Sequence, residues 1–295
     1  MCRLNHLPQK SGIIKLMTMA LEYNITYNDN LAVSSNKTTK PIIHQNSHIL
    51  LDNDAIDNLE RIDLYKYLSF ESMGHILKQK KIFLNKVDEY WEDCYENFLL
   101  KCSFKTKEGL IQPTNFINSI YGMSLTTLHE SDAMWRIYSN KSGIKIKTNA
   151  KKLFSTIFLD EECYAKSWFG VVNYNTMEDI WLKISNKIPK PSDIVDIFCN
   201  IFPETEFMKR KEFEHEKEFR VIFMLDSKQT KKFSFIKRLA FSIDIDDFIE
   251  EYCLDPRLND TEYENQKELL IKLGADKRKI KKSNLYTFTP FEFEC

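Results

Sequence analysis

From residue 62 onward, short segments of period two are mixed with segments of helical period, without the regular alternation that a doubly wound sheet requires. Residues 64–67 (Leu64, Tyr65, Lys66, Tyr67) read as a strand, and Ser69 is placed to cap a helix over 70–80. A second strand is expected at 81–85, a third at 117–127, and a short helix carrying Trp135 at 131–138. In 143–147, Ile144 and Ile146 alternate with Lys145 and Lys147, which predicts isoleucines inward and lysines outward. Strands follow at 171–174, 216–225 and 239–245, with a largely helical stretch over 180–202 interrupted by Pro189 and Pro191. A helix at 261–273 should stop at Gly274, and a final strand is expected around 285–288. The pattern predicts an α+β fold with mixed, largely antiparallel sheets and flanking helices. Residues 1–60 lack a sustained period and are rich in Asn, Ser, Thr and Asp; they read as a polar arm on a single α+β domain over 61–295.

Composition narrows the function classes. An apolar fraction of 43% with 21 Phe, 13 Tyr and 4 Trp supplies a substantial core, so disorder throughout is excluded. Net charge is −1, so contact with nucleic acid or lipid would have to come from a local patch. The seven cysteines form no C-x-x-C pair and read as reduced thiols, which points to the cytoplasm. The segment 12–21 is too short and too polar to span a bilayer. Only seven glycines are present and none clusters with another. A phosphate-cradling loop needs clustered glycine for close backbone approach, so neither a Walker loop nor a Rossmann fingerprint is possible.

The densest charge pattern lies at 216–220. On a strand, Glu216, Glu218 and Arg220 share one face while Phe219, Val221 and Phe223 share the other. Like-charged neighbours raise one carboxyl pKa and the arginine lowers its partner's, a division suited to acid–base or cation-stabilising work. The same pattern also describes a solvated strand end with a local ion pair. In 64–67, Tyr65 and Tyr67 flank Lys66, so the rings can sandwich a planar group while the lysine meets a phosphate; a half-buried strand is the plainer alternative. Ser124 lies on the strand 117–127. The acidic loop 88–96 lacks specific metal-ligand spacing, His44 and His48 have no nearby acid, and no metal site is expected. The basic run 277–282 is the one obvious patch for a nucleic-acid backbone.

Residues 64–67, Trp91 to Glu96, Met134 to Tyr138 with Gly143 and Ile144, Lys209, Phe213 and the 216–220 run together resemble a bacterial family, domain of unknown function 2971, over roughly 62–290. Cys94 stands where that family usually has Pro, and Phe213 where it usually has Trp. In chain order the sites are also similar to the Arg/His, Ser and Glu-x-Glu elements of ADP-ribosyltransferases. That resemblance implies an ADP-ribosyltransferase-like core and NAD as the bound dinucleotide. Lys66 takes the place of the basic residue, Ser124 that of the serine, and Glu216 and Glu218 that of the Glu-x-Glu pair; Tyr65 or Tyr67 would stack on nicotinamide, with Arg220 beside the pair. Glu218 would stabilise the oxocarbenium-like state and Glu216 would orient or deprotonate the acceptor. It further implies a toxin or phage-defence effector acting on a macromolecular acceptor, protein or nucleic acid, with a cognate antitoxin as partner and no membrane. Two other classes are kept: a nucleic-acid-directed protein, either a metal-dependent nuclease using Asp93, Glu96 and Glu218 or an RNA binder using 277–282, and a non-catalytic partner-binding module.

Overall fold

The computed structural model describes residues 59–91, 93–106, 109–111, 119–157, 165–187, 205–225 and 236–294, with three short strands before them. Those strands, Ile25–Asn28, Leu31–Ser34 and Ser47–Leu50, are the described part of the expected 1–60 arm, whose remainder lies outside the described residues up to Leu59. Where one domain was expected over 61–295, Cα packing groups the chain into two compact units. The first comprises Met1–Asn58, Ile82–Ser124 and Phe154–Ser242; the second comprises Leu59–Lys81, Leu125–Leu153 and Ile243–Cys295.

The first unit is organised by the strand Glu218–Leu225, which pairs antiparallel with Ala165–Val171 and on its other side with Ile120–Thr126. Beyond these, Lys81–Lys86 pairs antiparallel with Ile120–Thr126, and Arg238–Ser242 runs parallel to Leu31–Ser34. Glu218–Leu225 has a paired strand on each edge, side chains pack over both of its faces, and seven of its eight residues are buried. The expectation of one core face and one polar face fails there: Glu218 and Arg220 lie inside the protein. Val87, Leu100, Ile120, Trp168, Phe207 and Ile222 form the adjoining apolar cluster, with Trp91 packed against it.

The second unit holds a sheet in the order Asp63–Leu68, Ile144–Asn149, Glu251–Leu254, Ile280–Lys282; the first two pairings are antiparallel and the last parallel. Ser69 caps the helix Phe70–Gln79 as expected, its side chain accepting from the Ser72 amide. Asn259 opens the helix Asp260–Lys272 with a reciprocal capping box to Glu262. Gly143 is required by close approach, since a Cβ there would meet the Leu68 carbonyl and Ser139 at 2.5 Å.

Three expectations change. Lys145 points inward, almost wholly buried, because its ammonium donates to the His129 carbonyl at 2.6 Å and lies 3.8 Å from Glu130. The last strand is Ile280–Lys282 and not 285–288, because Ile280 supplies the apolar residue that pairs beside Tyr252, while Asn284 and Thr287 close a turn. The strand expected at 171–174 is two, Ala165–Val171 and Asn173–Asn175. The described helix in 180–202 is Met177–Lys187, and residues 188–202 lie outside the described set.

Candidate functional site

The 216–220 run lies in the first unit, at the join between the 3-10 helix Lys211–Glu216 and the strand Glu218–Leu225. Glu216 therefore does not belong to the strand. Lys217 between them has φ 41°, a left-handed conformation uncommon for a residue with a Cβ. Strict strand alternation ends at this turn, yet both carboxylates reach the same place: Lys209 Nζ lies 2.7 Å from Glu216 Oε2 and 3.4 Å from Glu218 Oε2. The Tyr174 hydroxyl accepts from the Glu218 amide at 2.8 Å and fixes the start of the strand.

Arg220 is the hub. Its Nε and one Nη donate to the two oxygens of Glu218, both at 2.8 Å; the same Nη donates to Glu96 at 2.6 Å, and the other to the Glu206 carbonyl at 2.6 Å. Its guanidinium lies 4.0 Å from the centre of the Trp91 ring. Trp91 can lie there because residue 122 is Gly: a Cβ at Gly122 would fall 2.6 Å from the indole. Lys209 completes the set, reaching Glu96 at 3.3 Å as well as Glu216 and Glu218.

Burial sets the electrostatics. For Glu218 it opposes ionisation, but Arg220, Lys209 and a hydrogen bond from the Ser124 hydroxyl outweigh it and hold the carboxyl at about 2. For Arg220 and Lys209, burial works against the charge and the surrounding carboxylates prevail, so both titrate above their ordinary values. Glu206 goes the other way: burial, with Glu96 adding, pushes it up to about 8 against the pull of Arg220. With the Asn97 amide nitrogen turned toward it, Asn97 donates to Glu206 at 2.6 Å. The buried set is thus Glu96, Glu206, Glu216 and Glu218 against Lys209 and Arg220. Glu206, pushed up to about 8, is the carboxyl of this set that stays neutral near pH 7.

The structure brings together Glu216, Glu218, Arg220 and Ser124. Lys66, Tyr65 and Tyr67 belong to the second unit. There Lys66 is half-buried opposite Ile146, and both tyrosines are buried. The Tyr65 ring sits edge-on to His129 at 5.5 Å and the Tyr67 ring edge-on to Trp135 at 4.9 Å, so these rings pack in the unit's own core. Sequence reasoning assigned no role to Glu206, Asn97 or Trp91, and reached Lys209 through the family resemblance alone. A signal existed in the charged segment from 204 onward, but it carries no partner information.

The residues weighed for a nuclease part company. Glu96 and Glu218 converge, but Lys209 Nζ fills the space between them, and Asp93 pairs instead with Arg210 at 2.8 Å. Among the described residues, no group of three or more His, Cys, Asp or Glu is placed to hold a metal ion. Within the basic run Arg278 pairs with Asp276, Lys281 with Glu251 and Lys282 with Asp260, while Lys279 keeps its charge and donates to the carbonyls of Asp246 and Ile249. No described helix is long and apolar enough to cross a membrane.

With this geometry in view, the comparisons can be placed. A family model described as protein of unknown function (DUF2971) matches residues 134–221. The DUF2971 match is narrower than the 62–290 span read from the sequence, yet it takes in Lys209, Glu216, Glu218 and Arg220. No curated protein matches the chain. Among solved structures, Thermus sp. 2.9 DarT in complex with NAD+ is similar at 11% identity, covering 78% of this chain and 98% of that one. Its TM-score is 0.35, a likeness too distant to bear on fold or chemistry.

Proposed function

We propose that the first unit is an NAD-dependent ADP-ribosyltransferase with the Glu216–Glu218–Arg220 cluster as its reacting centre. The observation that carries this reading is the convergence of Glu216 and Glu218 on Lys209 Nζ, at 2.7 and 3.4 Å, with Arg220 donating to both oxygens of Glu218 inside a buried, charge-rich site. Cleavage of the nicotinamide–ribose bond develops positive charge on the ribose, and a carboxylate fixed in a dry site stabilises it without reorganising. Glu218, held ionised by Arg220 and Lys209, has that property. A ribose hydroxyl reaches it by taking over the Ser124 hydrogen bond. Glu216 turns or deprotonates the acceptor, which is a macromolecule, and an antitoxin that covers the site would restrain it.

One observation favours a second reading, a non-catalytic module with a structural charged core. A carboxylate has about four lone-pair sites. Two donors from Arg220, one from Lys209 and one from Ser124 match them at Glu218. Incubation with labelled NAD and cell lysate separates the two. The enzyme reading expects label on protein or nucleic acid and release of nicotinamide, with Glu218→Gln lowering the rate by about 10²–10³-fold, the size of losing one preorganised electrostatic contact. No label from folded protein across several lysates overturns it in favour of the structural core.

A further inference from the structure

The second unit carries an aromatic segment that its own fold leaves uncovered. Up to Thr287 the chain is held in place. The Leu285 amide donates to the Ser283 hydroxyl at 3.2 Å and the Thr287 amide to the Asn284 carbonyl at 2.8 Å. The Tyr286 hydroxyl donates to Asp132 and accepts from Arg136 Nη2 at 3.4 Å. Residues 288–294 form no hydrogen bond or ion pair among the described residues, and Phe288, Phe291 and Phe293 are 80, 77 and 84% exposed. Single exposed apolar side chains are ordinary, whereas large rings grouped in one short stretch mark an interaction site. Pro290 bars a helix from running through the stretch. Phe291, Glu292, Phe293 and Glu294 alternate instead with a period of two, so as a strand they put both rings on one face and both carboxylates on the other.

The carboxylates decide between partners: an anionic lipid surface repels them, and a basic protein edge matches them. The same unit has such an edge. Ile280–Lys282 is the last strand of its sheet and pairs, among the described residues, with Glu251–Leu254 alone. The Ser283 amide donates inward to the Leu254 carbonyl at 3.0 Å, so the period-two ladder turns the backbone of Lys282 outward. Lysine on an edge strand discourages ordinary strands, because pairing strips its ammonium of water; an acidic strand supplies the counter-charge. Lys281 is half exposed although it pairs with Glu251. Lys277 and Lys279, in the same run, form no ion pair with a carboxylate among the described residues.

We propose that residues 288–294 are a docking strand for a second copy of this chain, adding antiparallel to the Ile280–Lys282 edge of that copy. With Glu292 beside Lys281, the backbone of Phe291 exchanges hydrogen bonds with that of Lys282. Phe291 and Phe293 then cover the face that carries Ile280 and Lys282, and the carboxylates lie on the face of Lys281. Two copies exchange the segment reciprocally, so the contact forms twice and closes as a dimer. The inference is independent of the NAD reading.

The test is sedimentation equilibrium of the full chain across a dilution series, with a reversible monomer–dimer equilibrium expected. Phe291→Ser together with Phe293→Ser should raise the dissociation constant by about tenfold or more, as loss of buried ring anchors does. Glu292→Lys changes only an exposed side chain and should weaken the dimer too. Lys281→Glu combined with Glu292→Lys should recover most of that loss, with circular dichroism confirming the fold of each variant. A chain that stays monomeric at every concentration overturns the proposal, as does a dimer indifferent to the two Phe substitutions. Loss in Glu292→Lys without recovery in the charge-swapped chain overturns the lysine edge as the seat. Flotation with vesicles of phosphatidylserine and phosphatidylcholine covers the other occupant. Vesicle binding by a monomeric chain, lost with the two rings, assigns the segment to a lipid surface and overturns the proposal.

Discussion

Both units bury charge, and they do it differently. In the second unit two inner carboxylates pair one to one: Asp255, wholly buried, accepts from Arg257 at 2.6 and 2.8 Å and from Ser139, and Glu130 faces Lys145 with Trp135 and Ser283 as indole and hydroxyl donors. Each carboxylate there has its own cation, and the rings around it are packed core. In the first unit four carboxyls share two cations. A balanced buried pair is explained by the fold it holds. Several carboxyls crowded onto shared cations in a buried site are the arrangement found where proteins tune chemistry.

The contrast can be broken hardest at Arg220. Truncation to Ala leaves Glu218 and Glu96 buried without their main partner, and should cost about 3–5 kcal/mol in urea unfolding. A cost below about 1 kcal/mol would mean that water reaches the cluster and that the two units do not differ in kind. In the second unit, Asp255→Asn keeps the shape and removes one charge from a balanced pair, so about 1–3 kcal/mol is expected from the same assay. Parity with Arg220→Ala would erase the distinction.

The smallest and most specific effect is on pH. Glu206 is pushed up to about 8, above the usual carboxylate range, so between roughly pH 4.5 and 8 the folded chain binds a proton that the unfolded chain has lost. Its contribution is complete below that window and falls as pH rises through it, by up to about 1.4 kcal/mol per pH unit. Glu218, held at about 2, has the opposite sign: its contribution is present above the unfolded carboxylate range and is lost as pH falls toward 2. Unfolding curves at pH 6 and 8 should show the alkaline decline in the native chain and a flatter response in Glu206→Gln. The same slope in both would assign the alkaline decline to a group other than Glu206.

Local pattern was enough to place the strands around Tyr65 and Phe219 and the cap at Ser69, because period and capping act over a few residues. It also singled out Glu218 and Arg220. What it missed was set by distance along the chain. Arg220 meets Glu96 across 124 positions, and nothing near either residue encodes the other. Alternation placed Lys145 outward, but a buried acceptor turned it inward. Alternation likewise carried the strand back through Glu216, whereas the left-handed Lys217 makes it begin at Glu218.

Lys209 bears on the cell as well as on the fold. Its ammonium sits among Glu96, Glu216 and Glu218, at 3.3, 2.7 and 3.4 Å, as their shared counter-ion. The counter-ion is translated with the chain. Neither chelation nor fluctuating metal supply can strip it from the cluster, and its stoichiometry is fixed at synthesis.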